Sequence, residues 1–390
     1  MQLLPPPKPH RVRLCARCAR SFGSGFDRAE AARALTLGAL MLFALANLCP
    51  FMGIDLSGRS RSIHLGSGVE GLAGSDGLLP VALFVLAIAI LAPLARILAL
   101  GVVVWGLRSR AETRPLARLL RLAGWIRPWA MLDVFLVGSL VALTKLGDLA
   151  AVTAGTGLYL LGALVVILAL MELAVDRRAL WQRIMPSPTA DAPPRSGWLG
   201  CHACGMVQSP AERCIRCAAP LHRRKPDSLH RCAALVATGV ILYLPANLYP
   251  VLTVISFGRG DPSTILGGVR ELARGNDWPL AAIVFIASVA VPLLKLFGLG
   301  ILILTAHFGA PDHPSGRTRL FRLIDLVGRW STIDIVVAAL LTALVTLGNL
   351  ARVEPGFGVM AFAGVVFATM LATESFDPRL LWDAAGANDA

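Results

Sequence analysis

The chain has 390 residues, of which 56% are hydrophobic and only 16% are charged, and its mean hydropathy is +0.67. Soluble domains carry about 25% charged residues, so this composition excludes a cytosolic enzyme with a soluble cleft and also a secreted disulfide scaffold. It predicts a polytopic membrane protein. The net charge of +13 would suggest a nucleic-acid partner in a soluble protein, but the positive-inside rule explains it here, and no nucleic-acid partner is expected.

Apolar runs long enough to cross a bilayer occur eight times along the chain. A hydrocarbon core of about 30 Å needs roughly 20 apolar residues in a helix. The first 30 residues are polar and basic and lack the pattern of a cleavable signal peptide, so the first run is predicted to stay in the membrane. The predicted spans are 34–52, 78–106, 130–147, 157–175, 232–256, 279–306, 331–349 and 356–374.

Basic residues are distributed unevenly between the segments that connect these spans. One alternating set of segments, which includes both termini and the central linker, holds 28 of the 37 Lys and Arg residues, and the other set holds six. Cytoplasmic segments carry the excess of Lys and Arg. The asymmetry therefore predicts a bacterial inner-membrane protein whose N- and C-termini are cytoplasmic.

The second half of the chain repeats the first. Ala46–Pro50 matches Ala246–Pro250, and Trp129 with Asp133 matches Trp330 with Asp334. Each copy has four spans, an even number, so the two copies are predicted to be parallel repeats. The predicted fold is an all-α polytopic membrane protein of two four-helix units. Its predicted domains are a degenerate zinc-ribbon remnant (1–30), transmembrane unit 1 (31–185), a cytoplasmic zinc ribbon (186–230) and transmembrane unit 2 (231–384).

Two CxxC motifs lie in the central linker, Cys201 with Cys204 and Cys214 with Cys217. Two such pairs in a short polar segment are typical of a closed, structural four-cysteine zinc site. A CxxC pair can also form a redox couple, and that alternative stays open. Cys15 and Cys18 align with the second motif but have no first motif before them, so they are interpreted as a remnant that holds no metal by itself.

Polar and ionisable residues inside the predicted spans mark a candidate transport path, because such residues are costly in lipid and face protein or water. Prolines add to it, since each removes a backbone donor and frees a carbonyl. Each residue could instead hold the helix bundle together or cap a span, and Lys145 is predicted to snorkel to the outer face. The candidates in the second repeat are Lys295, Asp334, Asn247, Pro245, Pro250, Pro292, Ser331, Thr332, Thr342 and Thr346. Their first-repeat equivalents are Arg96, Asp133 and Asn47.

Catalytic and nucleotide-binding motifs are missing from the sequence: GxxxxGK[ST], GxSxG and HExxH do not occur. An enzyme is therefore not expected. Ser263 and Thr264 are predicted to cap a helix that runs to about Arg274 in an extracytoplasmic loop. Its apolar positions are interpreted as facing the core, with a docking surface for a partner as the alternative.

The chain resembles the paraquat-inducible protein A (PqiA) family, and its LetA-like members in particular. The match is carried by Tyr243–Val251, Thr264–Val269, Val291–Leu296 and Arg329–Asp334, with the four-cysteine motif ahead of them. The resemblance implies an inner-membrane subunit that exchanges phospholipid with a periplasmic MCE-domain partner and supports envelope integrity. The first ribbon departs from family members that have two complete ribbons, because it has two cysteines instead of four.

Two other functions remain open at the level of sequence. The CxxC pairs also suit a membrane thiol-redox or stress-response protein. A membrane anchor that holds the partner without transporting lipid is a further alternative.

Overall fold

The structure, a computed structural model, describes residues 29–56, 59–74, 77–109, 113–147, 151–186, 197–256, 259–275, 278–309, 314–344 and 351–383. Cys15, Cys18 and Thr346 lie outside the described residues, as does the whole predicted ribbon remnant except its last two positions.

Sixteen α-helices form most of the part of the chain that the structure describes. In the first repeat they are α1 (Ala29–Leu48), α2 (Ser67–Ala73), α3 (Leu79–Leu86), α4 (Ala92–Gly106), α5 (Thr113–Ile126), α6 (Leu132–Gly147), α7 (Thr156–Ala174) and α8 (Arg177–Ile184). In the second they are α9 (Ser228–Leu248), α10 (Ile265–Arg274), α11 (Trp278–Phe285), α12 (Val291–His307), α13 (Pro314–Gly328), α14 (Ile333–Leu344), α15 (Phe357–Ser375) and α16 (Leu380–Asp383).

Short strands form one small sheet in each repeat and one in the linker. They are β1 (Met52–Leu56), β2 (Arg59–Ile63), β3 (Ala151–Ala154), β4 (Leu199–Gly200), β5 (Val207–Gln208), β6 (Leu252–Ser256), β7 (Arg259–Ser263) and β8 (Ala351–Pro355). The repeat sheets have the antiparallel orders β2-β1-β3 and β7-β6-β8, and β4 pairs with β5. Neither repeat sheet was predicted from the sequence, in which 53–77 and 257–278 were interpreted as loops.

Among the described residues, eight helical stretches are long and apolar enough to cross a membrane, which confirms the predicted fold class of a mostly helical chain with two repeats of four spans. Spans one and five end at Leu48 and Leu248, earlier than predicted. Each is followed by Pro50 or Pro250 and then by an apolar strand, and hydropathy alone cannot separate an apolar helix from an apolar strand.

Spans three and seven start earlier than predicted. The structure places amphipathic helices, α5 and α13, where the sequence analysis expected loops, and the helical stretches of suitable composition are Thr113–Thr144 and Ser315–Ala343. Arginines spaced along α5 lower its mean hydropathy, so a window that averages all faces of the helix missed it.

The described chain divides into two compact units whose boundaries differ from the predicted domains. Unit 1 comprises the described residues within Met1–Phe43, Ala92–Ala130 and Ala163–Pro226, and unit 2 comprises those within Ala44–Leu91, Met131–Gly162 and Asp227–Ala390. In unit 1, the buried faces of α4, α5 and α8 pack in one apolar cluster with the linker cysteines, around the fully buried Trp181.

Unit 2 contains both repeat sheets and the most buried helices. Helix α9 packs along α15, and α14 packs against α2 and α6. Gly68 and Gly71 of α2 permit the second contact, because a Cβ atom at either would lie 3.3 Å from the backbone of α14. A hydrogen bond joins the end of α15 to the start of α9, because the Ser228 hydroxyl donates to the carbonyl of Ser375 over 2.9 Å.

The second span of each repeat has a π-helical turn just before a proline. These turns are Ala87–Leu91, before Pro93, and Ile286–Ala290, before Pro292. A proline lacks the backbone N–H that would close the regular hydrogen-bond ladder, and a wider turn accommodates that loss. The π-helical turns end five residues before Arg96 in one repeat and five residues before Lys295 in the other.

Helix α10 begins at the predicted cap. The Thr264 hydroxyl accepts a hydrogen bond from the Gly267 amide over 3.1 Å, and the helix ends at Arg274 as expected. Ile265 is buried whereas Leu266 is exposed.

Candidate metal centre and intramembrane polar sites

Four buried cysteines converge in the linker. The Sγ atoms of Cys201 and Cys217 are 3.5 Å apart, those of Cys204 and Cys214 are 3.6 Å apart, and all four lie within 4.8 Å of one another. Four thiolates at about 2.3 Å from a zinc ion would be separated by roughly 3.8 Å in a tetrahedron. The cluster therefore has the donor set and the spacing to hold a metal ion.

Each CxxC motif folds as a tight knuckle. The Gly205 amide donates to the Cys201 carbonyl over 2.9 Å, and the Ala218 amide donates to the Cys214 carbonyl over 2.8 Å. Both knuckles close with a left-handed residue, Gly205 at φ +74° and Ala218 at φ +54°. Glycine adopts this conformation without strain, whereas alanine does not.

The ribbon is fastened to neighbouring elements of unit 1 by two arginines. Arg121 of α5 donates to the Cys217 carbonyl over 3.1 Å, and Arg216 donates through Nε to the Met185 carbonyl over 2.7 Å. The knuckle backbone is thus oriented from outside as well as by its own bonds.

The thiols interact strongly with one another. Hydrogen bonds from the neighbouring thiols hold the pKa of Cys201 below its ordinary value, and the reciprocal interaction raises the pKa of Cys204. The pKa of Cys217 rises to about 12 for the same reason. Four thiols this close cannot all ionise without a cation between them.

Lys295 is more buried than Arg96, its counterpart in the first repeat. Its side chain is 1% exposed, and Nζ donates to the Gly328 carbonyl over 3.2 Å. Gly328 permits this approach, because a Cβ atom there would lie 3.0 Å from Lys295 Cε. Asp325, one helical turn earlier on α13, interacts electrostatically with the ammonium group.

Ser331 and Thr332 lie just beyond Gly328, in a 3₁₀ turn that covers Arg329–Thr332. Ser331 is 1% exposed, and its hydroxyl has no hydrogen-bond partner among the residues that the structure describes. Thr332 donates to the Arg329 carbonyl over 2.9 Å. The structure thus brings Lys295 close to the turn that carries two of the predicted polar residues.

Asp133 contacts Arg329, a partner that the sequence analysis did not anticipate. Arg329 Nη2 donates to both carboxylate oxygens of Asp133, at 3.3 and 3.2 Å. This ion pair joins the two repeats within unit 2. Asp334, the equivalent of Asp133, is half-buried at the start of α14.

Several predicted residues satisfy their polar groups inside their own helix. Asn247 donates to the Tyr243 carbonyl over 2.9 Å, beside Pro245, and Thr342 donates to the Ala338 carbonyl over 2.8 Å. These bonds do not by themselves join the residues to Lys295. Pro292 occupies the first turn of α12, Pro250 follows the end of α9, and Asn47 is half-buried near the end of α1.

Arg96 is placed differently from Lys295. It pairs with Glu172 of α7, whose other carboxylate oxygen accepts from Arg127 Nη2 over 2.8 Å. Neither Glu172 nor Arg127 is among the candidate residues that the sequence indicated. Arg96 and Arg127 are 76 and 45 positions away from Glu172 in the chain, so no local sequence pattern indicated that they meet.

Eight membrane-spanning helices with a four-cysteine ribbon between two repeats define a class of multi-pass membrane protein. The family model for "Paraquat-inducible protein A" matches residues 30–185 and 229–386. The chain belongs to this family.

Curated relatives cover nearly its whole length. It is 34% identical to "Intermembrane transport protein PqiA" of Escherichia coli (strain K12) over 95% of this chain and 90% of the relative. It is 32% identical to "Lipophilic envelope-spanning tunnel protein A" of the same strain, over 99% and 90%. A "Probable intermembrane transport protein" of Haemophilus influenzae is 29% identical, over 94% and 90%.

No solved structure matches the chain. The family and the eight apolar helices make it a multi-pass protein of the bacterial inner membrane, with a role in membrane transport.

Proposed function

We propose that the chain is the inner-membrane subunit of an intermembrane phospholipid transport system and exchanges lipid with a periplasmic MCE-domain partner. Its relatives are named as an intermembrane transport protein and as an envelope-spanning tunnel protein. It acts as a non-enzymatic component, in line with the missing catalytic motifs. The domains 1–30, 31–185, 186–230 and 231–384 are proposed from the repeat and from the spacing of the apolar runs, and they describe the order along the chain and not the compact units.

The observation that carries this proposal is the burial of Lys295 beside a broken helix. An ammonium group has three donors, and one of them reaches the Gly328 carbonyl. The hydroxyl of Ser331 lies in the turn that begins one residue after Gly328. A lysine is a point charge that suits a phosphate group, so Lys295 and Ser331 would contact the lipid phosphate during passage.

The test replaces Lys295 with Met, which keeps the length of the side chain and removes its charge. In a strain that lacks its own PqiA-type proteins and is sensitive to detergent, the wild-type chain should restore growth and Lys295→Met should not. Lys225→Met is the matched control, because Lys225 is exposed in the linker. Full complementation by Lys295→Met, at equal expression, would contradict a role for Lys295 in transport.

We further propose that the metal at Cys201, Cys204, Cys214 and Cys217 is zinc, with a structural role. The support is the all-thiolate donor set, the tetrahedral spacing and the closed coordination shell, which leaves no open position for a substrate. Elemental analysis of the purified chain should give one zinc per molecule. A reversible disulfide within the cluster, with no zinc, would favour the thiol-redox alternative.

The termini and the ribbon are proposed to be cytoplasmic. The support is the excess of Lys and Arg in the segments that include them. Fusion of alkaline phosphatase and of green fluorescent protein to the C-terminus should give fluorescence and no phosphatase activity. The reverse result would invert the topology.

A further inference from the structure

Three arginines surround one glutamate in unit 1. Arg96 and Arg127 both bond the carboxylate of Glu172, from α4 and from the turn after α5. Arg177, the first residue of α8, donates to the Leu120 carbonyl over 3.2 Å. Two guanidinium groups thus bond the Glu172 carboxylate, and that of Arg177 interacts with it electrostatically.

Gly124 leaves the space that the Arg177 guanidinium occupies. A Cβ atom at Gly124 would lie 2.1 Å from Arg177 Nη2 and 3.0 Å from its Cζ, so the guanidinium lies directly on the backbone of α5. Burial lowers the pKa of Arg177, and the Arg127 and Arg96 cations lower it further, against the opposing effect of Glu172. The cations therefore repel one another at this position.

These side chains line a pocket of about 400 Å³. Asp176 adds a second carboxylate to the lining, but it caps α8 by accepting from the Arg178 amide over 2.9 Å, and Arg178 lines the pocket too. The lining of the pocket thus contains four arginines and two carboxylates. The rest of the lining is mainly apolar and includes Leu100, Ala123, Met171, Leu173 and Val175.

We infer that this pocket binds the phosphate group of an anionic ligand, held by Arg127 and Arg177, with Arg96 and Glu172 orienting Arg127. Guanidinium groups bind phosphate through two parallel hydrogen bonds. The ligand's phosphate belongs either to a phospholipid headgroup, whose acyl chains would meet the apolar lining, or to a soluble phosphate compound. The inference is independent of the transport proposal.

Lys295 keeps the cation of Arg96 in the second repeat, but the charges of Arg127, Glu172 and Arg177 are missing at the equivalent positions. In the register that aligns Trp129 with Trp330, Arg127 corresponds to Gly328, and Arg177 corresponds to Pro378. Glu172 corresponds to Thr373 and Gly124 to Asp325. A structural requirement shared by both four-helix units would have kept this cluster in both repeats. Since the second repeat does not retain it, such a requirement does not explain the cluster.

The test titrates the purified, delipidated full-length chain with dihexanoyl phosphatidylglycerol and, separately, with inorganic phosphate. Calorimetry at 150 mM salt suppresses diffuse attraction to basic surfaces. Arg127→Gln should weaken binding by about tenfold or more, as expected for loss of a charge-assisted bond. Gly124→Ala should weaken it similarly, although it removes no charge, because the added methyl group displaces the Arg177 guanidinium.

Arg118→Gln is the matched control. Arg118 is an exposed residue of α5 outside the pocket, so its loss changes the net charge by the same amount as Arg127→Gln. An unchanged affinity in this variant, with loss in the other two, supports a built site. Tighter binding of the lipid than of inorganic phosphate assigns the headgroup as the source, and equal binding assigns a soluble phosphate.

Two results would overturn the inference. One is the absence of binding by either probe to the wild-type chain. The other is an equal loss in Arg118→Gln and Arg127→Gln with no effect of Gly124→Ala, which would indicate only attraction to a basic surface. Thermal unfolding and zinc content of each variant verify that it is folded.

Discussion

Arg96 and Lys295 occupy the same position in the two repeats, yet their surroundings differ. Arg96 belongs to a network of charged side chains with Glu172 and Arg127, whereas Lys295 is buried against a backbone carbonyl. A π-helical turn, a three-stranded antiparallel sheet and a 3₁₀ turn after the amphipathic helix occur in both copies. Duplication has therefore retained the backbone scaffold and changed the charges that it carries.

Metal removal should produce the largest difference, because the described four-cysteine ribbon belongs to unit 1 alone. Structural zinc contributes about 10–16 kcal/mol of apparent binding free energy in small domains. A Cys214→Ser variant, or strong chelation, should increase amide hydrogen exchange in α5 and α8, which pack on the ribbon. Amide exchange in α9 and α15 should not change. An equal increase of exchange in α5 and α8 and in α9 and α15 would contradict this prediction.

Loss of Glu172 should have the next largest effect. Glu172→Gln leaves Arg96 and Arg127 adjacent without their common carboxylate. It should lower the free energy of unfolding by about 2–4 kcal/mol. This is less than the full effect of breaking a buried ion pair, because the Glu172 side chain is 35% exposed. The equivalent change in the second repeat, Thr373→Val, removes a bond inside one helix and should cost about 1 kcal/mol. Thermal unfolding in detergent measures both, and equal shifts would contradict the difference between the repeats.

Equivalent glycine substitutions beside the two repeat sheets should destabilise the fold by similar amounts. A Cβ atom at Gly155 would lie 2.2 Å from the Pro50 carbonyl oxygen, and one at Gly356 would lie 2.3 Å from that of Pro250. Gly155→Ala and Gly356→Ala should each destabilise the fold by about 1–3 kcal/mol, because backbone must move. The melting temperatures of the two variants measure this, and a large effect of only one would show that the scaffold is not shared.

The smallest effect on stability is expected within the ribbon, where the left-handed residues of the two knuckles, Gly205 and Ala218, can be compared with each other. Ala218→Gly relieves a left-handed alanine and should stabilise the zinc-bound ribbon by up to about 1 kcal/mol, whereas Gly205→Ala should destabilise it by about the same amount. Competition with a zinc chelator ranks the three proteins. An opposite order would mean that the knuckles do not keep these backbone conformations.

Much of this architecture follows from the sequence. Hydropathy located the eight spans, and the spacing of the linker cysteines located the ribbon, because both signals are local in sequence. The proline beside Lys295 likewise indicated a broken helix. Thr264 indicated the start of α10, since a cap needs only its own helix.

Other features depend on residues far apart in the chain. The pairing of Asp133 with Arg329 joins different repeats, and no periodicity encodes it. Helix α5 was missed because its arginines lower the hydropathy of a helix whose other face is apolar. The roles of Gly124 and Gly328 depend on which side chain rests on them, which requires the packed structure.

The central strand of each sheet has a consequence for the order of assembly. Strand β1 pairs at once with β2, but its other edge awaits β3, which is synthesised about 95 residues later. At about 5–20 residues per second, that edge stays open for roughly 5–20 s. An open strand edge is a template for wrong pairing, so each repeat passes through a vulnerable interval during its own synthesis, which ends when the strand before its fourth span emerges.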